Sequence, residues 1–280
     1  MNHGKRGPAF WILATFFGAF VLFLYGPTLT ILVLSFQGPQ GQLTFPMTGF
    51  STHWFQNLFQ TQLVGDFAGS FKRSMILGVS VMIYTVIASF AAGLAFRARF
   101  RGSSIVFYLA IASLIVPSIL ISLGIGLLFR VLDLDPAWYT SAFGAHLTWT
   151  LPFGLLIMLA VFNRFDRRYE EAARDLGATP WQTIRHVIIP ILAPSLIGVG
   201  LFGFTLSYDE FARSLYTAGN FNTLPLEIYG MTTNITTPVL YALGSVTTGV
   251  SFLVIATALV SFSIVRRRRL RHGSDAGKAA

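Results

Sequence analysis

The sequence predicts an all-α integral membrane protein with six transmembrane helices. Three observations carry that expectation: a composition poor in charge, apolar runs of spanning length along the whole chain, and basic residues gathered beside those runs. With 54% hydrophobic and 11% charged residues and a mean hydropathy of +0.64, lipid is the expected solvent for most of the surface. No stretch is left over for a separate soluble domain, so residues 1–280 read as a single transmembrane domain.

The spans fall at about 10–36, 74–96, 104–129, 143–162, 187–211 and 239–265, each near the ~20 residues that a bilayer crossing needs. The first follows Lys5 and Arg6 as a secretory signal would, but its apolar part is longer than a signal core and no clear small-x-small site closes it. It therefore reads as an uncleaved span. Pro27, Pro117, Pro152, Pro190 and Pro194 lie within or at the start of spans, with Gly124 and Gly126 shortly after Pro117. Such breakers are tolerated where neighbours or water satisfy the freed backbone groups, and they fit either close helix packing or a part in gating.

Orientation follows from where lysine and arginine lie, because basic loops stay on the cytoplasmic side. With both termini inside, the cytoplasmic segments hold Lys5 and Arg6; Arg97, Arg99 and Arg101; Arg164, Arg167, Arg168, Arg174 and Arg185; and Arg266 to Arg269, Arg271 and Lys278. Of the 20 lysines and arginines, only Lys72, Arg73, Arg130 and Arg213 fall elsewhere, each near a span end where a long stem can reach the interface. The net charge of +9 would also suit a nucleic acid. Its clustering beside apolar runs points instead to topology and to anionic membrane lipid, with no nucleic-acid partner.

The loop between the fourth and fifth spans, residues 163–186, is patterned as helix, break and helix. Tyr169, Ala172, Ala173 and Leu176 stand at i, i+3, i+4 and i+7, a narrow apolar stripe, with Arg167, Glu171, Arg174 and Asp175 on the other side. Gly177 is placed to end this helix in a left-handed conformation, and Thr179-Pro180 supplies an N-cap and a first-turn proline for the next. A stripe of such small residues buries modest area alone, so a second protein is expected to complete it. The other reading, a helix resting on lipid headgroups, usually calls for larger anchors, of which only Tyr169, Leu176 and Trp181 are present.

Glu171-Ala172-Ala173, three residues, Gly177, nine residues and then Val187-Ile188-Ile189-Pro190 resembles the EAA signature of binding-protein-dependent ABC importer permeases, written EAA-x3-G-x9-I-x-L-P. The departures are Val187 for isoleucine and Ile189 for leucine. The resemblance implies the type I ABC importer permease fold, with 163–186 as the coupling segment that docks on a cytoplasmic ATPase. It also implies a second permease subunit, more naturally a different chain than a copy, and an extracytoplasmic solute-binding protein. Pro46-Met47-Thr48-Gly49-Phe50-Ser51 with Trp54, Thr205 to Phe211, and Thr223 to Tyr229 are further similar to spermidine/putrescine-type permeases. Lys72-Arg73-Ser74 departs from the Asn-Ser that commonly opens the second span there. Related stretches occur in importers of iron, phosphonate and other solutes, which leaves those as alternatives. Glu171, Ala172, Ala173, Leu176, Gly177 and Tyr169 are the expected ATPase-coupling residues. Glu171 is either the partner of an ATPase residue, as the resemblance implies, or one half of an exposed pair with Arg167 or Arg174.

No catalytic residue and no metal site is expected. The sequence has no G-x-x-x-x-G-K-[ST] run to cradle phosphates, so ATP and Mg belong to the partner ATPase and no cofactor to this chain. His3, His53, His146, His186 and His272 are scattered without ligand spacing, and the absence of cysteine removes thiolate chemistry. Ser207, Asp209 and Glu210 lie roughly twenty residues beyond Pro190, about one bilayer crossing at ~1.5 Å per residue. They either border the translocation path and favour a cation, or sit in the outer interface with the two acids paired to Arg213. An ion-gradient transporter would need charged or broken-helix ion sites near the midplane or an inverted repeat, and neither is evident.

Overall fold

A computed structural model describes residues 7–58, 65–98, 100–234 and 238–276. Lys5, Arg6, Arg99 and Lys278, used above for orientation, and His3 lie outside the described residues. Close contacts divide the chain into two units, Met1–Phe67 with Gly230–Val250, and Ala68–Tyr229 with Ser251–Ala280. The described residues are helical apart from loops and one isolated bridge, Gln37 to Phe50.

In the first unit, α1 (Pro8–Leu34) is apolar on all sides, and its side chains, Phe16 and Phe23 among them, are exposed almost throughout. A helix hydrophobic all round is suited to lipid. Pro27 lies inside it, and the Thr30 hydroxyl donates to the Gly26 carbonyl at 2.9 Å. The loop that follows is organised by the fully buried Gln37. Its Nε2 donates to the Gln42 carbonyl at 3.0 Å, and its Oε1 accepts the Thr48 N–H at 2.8 Å. Phe36 stacks on Phe50 with ring centres 5.1 Å apart, just before the short α2 (His53–Asn57) and its buried Trp54. The Tyr241 hydroxyl donates to the Leu43 carbonyl at 2.5 Å and fixes the loop from the other side.

In the second unit the core lies among α3 (Phe67–Arg97), α6 (Phe143–Asn163) and α9 (Ile189–Tyr208). Met158, Phe162, Ile188, Leu192 and Val199 form one buried cluster, with Val86, Phe90 and Leu94 of α3 packed against it. The helices come close because α3 carries Gly93 at the crossing, where a Cβ would stand 2.7 Å from the Phe162 ring. Small residues permit this approach in a membrane, where packing rather than water exclusion holds helices together. A buried hydrogen bond at 3.0 Å between the Thr85 and Thr150 hydroxyls adds to it. A π-helical turn over Ile184–Ile188 precedes α9 and widens the backbone just where the Pro190 ring would meet the carbonyl four residues earlier.

Among the described residues, five helices are long and apolar enough to cross a membrane: Pro8–Leu34, Phe67–Arg97, Trp138–Asn163, Pro180–Tyr208 and Val239–Thr257. The third expected span, over 104–129, is broken near its middle. It is two helices, α4 (Ser103–Ile115) and α5 (Ser118–Val131), bent by 105°. Proline forces the break: Pro117 has no N–H to give, and Val116 is held extended at φ −67°, ψ 128°. At ~1.5 Å per residue each arm is roughly 20 Å long, short of the ~30 Å hydrocarbon core, so the two count as one span only together. The fifth expected span also shifts, since its helix ends at Tyr208 and leaves Asp209 and Glu210 beyond it. Two further helices, α10 (Leu224–Asn234) and α11 (Val239–Ala276), complete the chain, the second running on as backbone helix past the Arg266 to Arg269 run.

Candidate functional site: an exposed coupling segment and a buried polar knot

The coupling segment is built from its own local signals. α7 (Arg168–Asp175) has Glu170 and Glu171 in its first turn and Arg174 in its last, the order the helix dipole favours. It stops at Gly177, whose φ of +82° is left-handed. The Ala178 N–H reaches the Ala173 carbonyl at 3.0 Å and the Gly177 N–H reaches the Arg174 carbonyl at 2.8 Å, the double bond of a Schellman cap. Thr179 then caps α8 (Pro180–Thr183): its hydroxyl accepts the Gln182 N–H at 3.3 Å, while the Gln182 side chain accepts the Thr179 N–H at 2.8 Å. The helix, break and helix read from the sequence are all present.

The stripe faces outward. Leu176 is 89% exposed, Tyr169 and Trp181 are exposed with it, Ala172 is exposed and Ala173 half-buried. Glu171 is exposed and makes no ion pair among the described residues; Arg174 turns instead toward Glu170, at 3.8 Å. Glu170, which the sequence reading passed over, is largely covered and pairs with Arg97 at 2.6 Å. The i,i+4 pairing with Arg174 is visible in sequence, whereas a partner 73 positions away is not. A cleft of about 380 Å³ opens beside this pair, lined by Arg97, Arg167, Glu170, Glu171, Arg174 and Ile188 among others.

At the other end of α9, the three residues expected on a solute path separate. Asp209 is exposed, while Ser207 and Glu210 are buried in a polar knot. Glu210 accepts the Arg213 backbone N–H at 2.8 Å and lies 3.7 Å from its guanidinium. Arg213, only 2% exposed, donates to the Ser118 hydroxyl at 2.7 Å and to the Thr148 hydroxyl at 3.2 Å, and lies 4.5 Å over the Trp149 ring. Its own carbonyl accepts from the Ser122 and Thr217 hydroxyls. His146, which showed no ligand spacing in the sequence, is wholly buried, with Nδ1 2.8 Å from the Ser207 hydroxyl and Nε2 3.0 Å from that of Ser214. Among the described residues no group of acids and histidines is placed to hold a metal.

Several helices long and apolar enough to cross a bilayer, with a capped and exposed short helix in the loop before the fifth expected span, fit a multi-pass membrane protein. Residues 84–270 match the family described as binding-protein-dependent transport system inner membrane component, and the chain belongs to that family. It is therefore an inner-membrane component of a binding-protein-dependent transport system. The spermidine/putrescine transport system permease protein PotC of Escherichia coli (strain K12) is 29% identical over 249 residues, covering 88% of this chain and 92% of the relative. PotC of Haemophilus influenzae is 27% identical, covering 94% and 99%. The putrescine transport system permease protein PotI of Escherichia coli (strain K12) is 27% identical, covering 89% and 90%. Among solved structures, a bacterial ABC transporter that imports alginate superposes with a TM-score of 0.66 at 18% identity, over 93% of this chain and 99% of that one. The MetNI methionine transporter gives 0.53 at 17% identity, over 70% and 96%. At these identities the likeness is one of fold.

Proposed function

We propose that the chain is one of two permease subunits of an ATP-driven importer of polyamines such as spermidine or putrescine, with both termini cytoplasmic. The observation that carries the reading is the segment around Gly177: a short helix, rigidly capped at both its break and its restart, whose apolar stripe is left uncovered. A helix so exposed and so well fixed is suited to dock in a partner and move with it. Glu171, Ala172, Ala173, Leu176, Gly177 and Tyr169 form that docking surface, with the free Glu171 carboxylate meeting a basic residue of the ATPase. Closure of two ATPase subunits on ATP draws the coupling helices together and opens the cavity outward, and hydrolysis resets it. ATP and Mg stay on the ATPases.

The polyamine assignment rests on the similarity to PotC and PotI, each named for such a transport system, and on an exposed acid past the end of a span, which a polycation would meet favourably. Of the three acid-end residues, Asp209 is the one open to a solute; Ser207 and Glu210 shape the wall behind it. A solute-binding protein delivers the solute, and a sister permease supplies the other half of the path.

The test is affinity purification of the tagged chain from its membrane in gentle detergent, with co-purifying proteins identified and uptake of labelled spermidine measured in reconstituted vesicles. A nucleotide-binding subunit is expected with the wild type. Glu171→Lys is expected to insert normally and to abolish uptake. Normal spermidine uptake by that variant, or a wild-type chain that purifies alone without ATPase activity, overturns the reading.

A further inference from the structure

We infer that Arg97 and Glu170 form a strut that carries the motion of the coupling helix into α3, and that they are positioning residues for coupling of ATP hydrolysis to transport. The inference rests on the importer reading above and adds a route by which force leaves α7. Covalently, α7 is joined only to its neighbours in sequence, through residues 164–167 to α6 and through Leu176 to Thr179 to α8. The second of these links contains Gly177, exposed and with open space where a Cβ would stand. Neither link leads to α3, so a displacement of α7 reaches that helix only through side-chain contact.

The ion pair offers that contact. Arg97 is the last residue of α3, and its NH1 lies 2.6 Å from Glu170 Oε1, with side-chain exposures of 16% and 12%. The guanidinium is held on both ring faces near it, 5.2 Å from the Phe162 centroid and 5.5 Å from that of Phe165. Phe162 is itself part of the buried cluster that joins α6 and α9, and α3 rests on its ring one turn earlier at Gly93. Arg97 is thus clamped into the helical core at one end and bonded to the coupling helix at the other. A covered, charge-assisted bond stacked on aromatic rings is strong and direction-specific, unlike a surface pair that solvent screens. Glu171, one residue on, is exposed and without such a bond, so the two adjacent acids divide the work: Glu171 faces the ATPase, Glu170 faces the membrane helices.

The experiment uses the complete importer reconstituted in vesicles and compares wild type with Arg97→Gln, Glu170→Gln and the exchanged pair Arg97→Glu with Glu170→Arg. Co-purification of the ATPase, ATP hydrolysis and labelled spermidine uptake are read for each. The expected result is that both single variants keep the ATPase bound and hydrolysing, while solute imported per ATP hydrolysed falls about tenfold, and that the exchanged pair recovers part of the loss. An unchanged ratio in both single variants overturns the strut. Failure of either to insert or to retain the ATPase also overturns it, because the pair would then hold the fold rather than transmit. Absence of an ATPase from the wild-type preparation would instead defeat the importer reading itself, so the two failures are distinguishable.

Discussion

The coupling segment and the polar knot at the end of α9 contain the same ingredients, adjacent acidic residues with arginine three or four positions on, and fold them to opposite ends. In α7 the local caps and the Gly177 turn decide the shape, and the stripe and Glu171 are left in the open. After α9 the pair of Glu210 and Arg213 is closed off by residues from far along the chain, Ser118, Ser122, His146 and Thr148. An exposed pair contributes a few tenths of a kcal/mol, whereas a buried arginine cannot lose its partners without leaving a charge stranded. One region leaves its apolar stripe open, the other ties a bent helix in place.

The sharpest way to break this comparison is Arg213→Ala. It removes the guanidinium from Ser118, Thr148 and Trp149 and leaves Glu210 as a buried unpaired carboxylate, with an expected loss of about 3–5 kcal/mol. Thermal unfolding of the purified chain in detergent would read it. Gly177→Ala comes next, because a Cβ at φ +82° costs about 1–2 kcal/mol, and it should lower uptake more than it lowers the melting temperature. Thr179→Ala removes the hydroxyl of the capping box and is expected to cost about 1 kcal/mol, seen as faster proteolysis near the coupling segment. Asp209→Asn should change stability by less than about 0.5 kcal/mol while weakening uptake of polycations relative to neutral solutes. A stability loss at Asp209 as large as that at Arg213 would erase the distinction between the two regions.

The helix, break and helix over 163–186 were legible in sequence because their signals are local: a stripe at helical spacing, a glycine where the helix must end, a threonine and proline where the next begins. The existence of the spans was legible for the same reason, since length and apolarity are properties of a window. What was not legible depends on partners far apart. Pro117 marked a break, yet nothing nearby set its angle of 105°. Arg213 stood close enough in sequence to the acids to suggest a simple pair, but its bonds to Ser118 and Thr148 span 95 and 65 positions. The same holds for Arg97, which reads as a topology marker until Glu170 is found beside it.

The bend at Pro117 also bears on how the chain is made. During synthesis α4 and α5 leave the ribosome before Arg213, whose guanidinium donates to the Ser118 hydroxyl and whose carbonyl accepts from that of Ser122. These two bonds to α5 can therefore form only once the residues beyond α9 have been made.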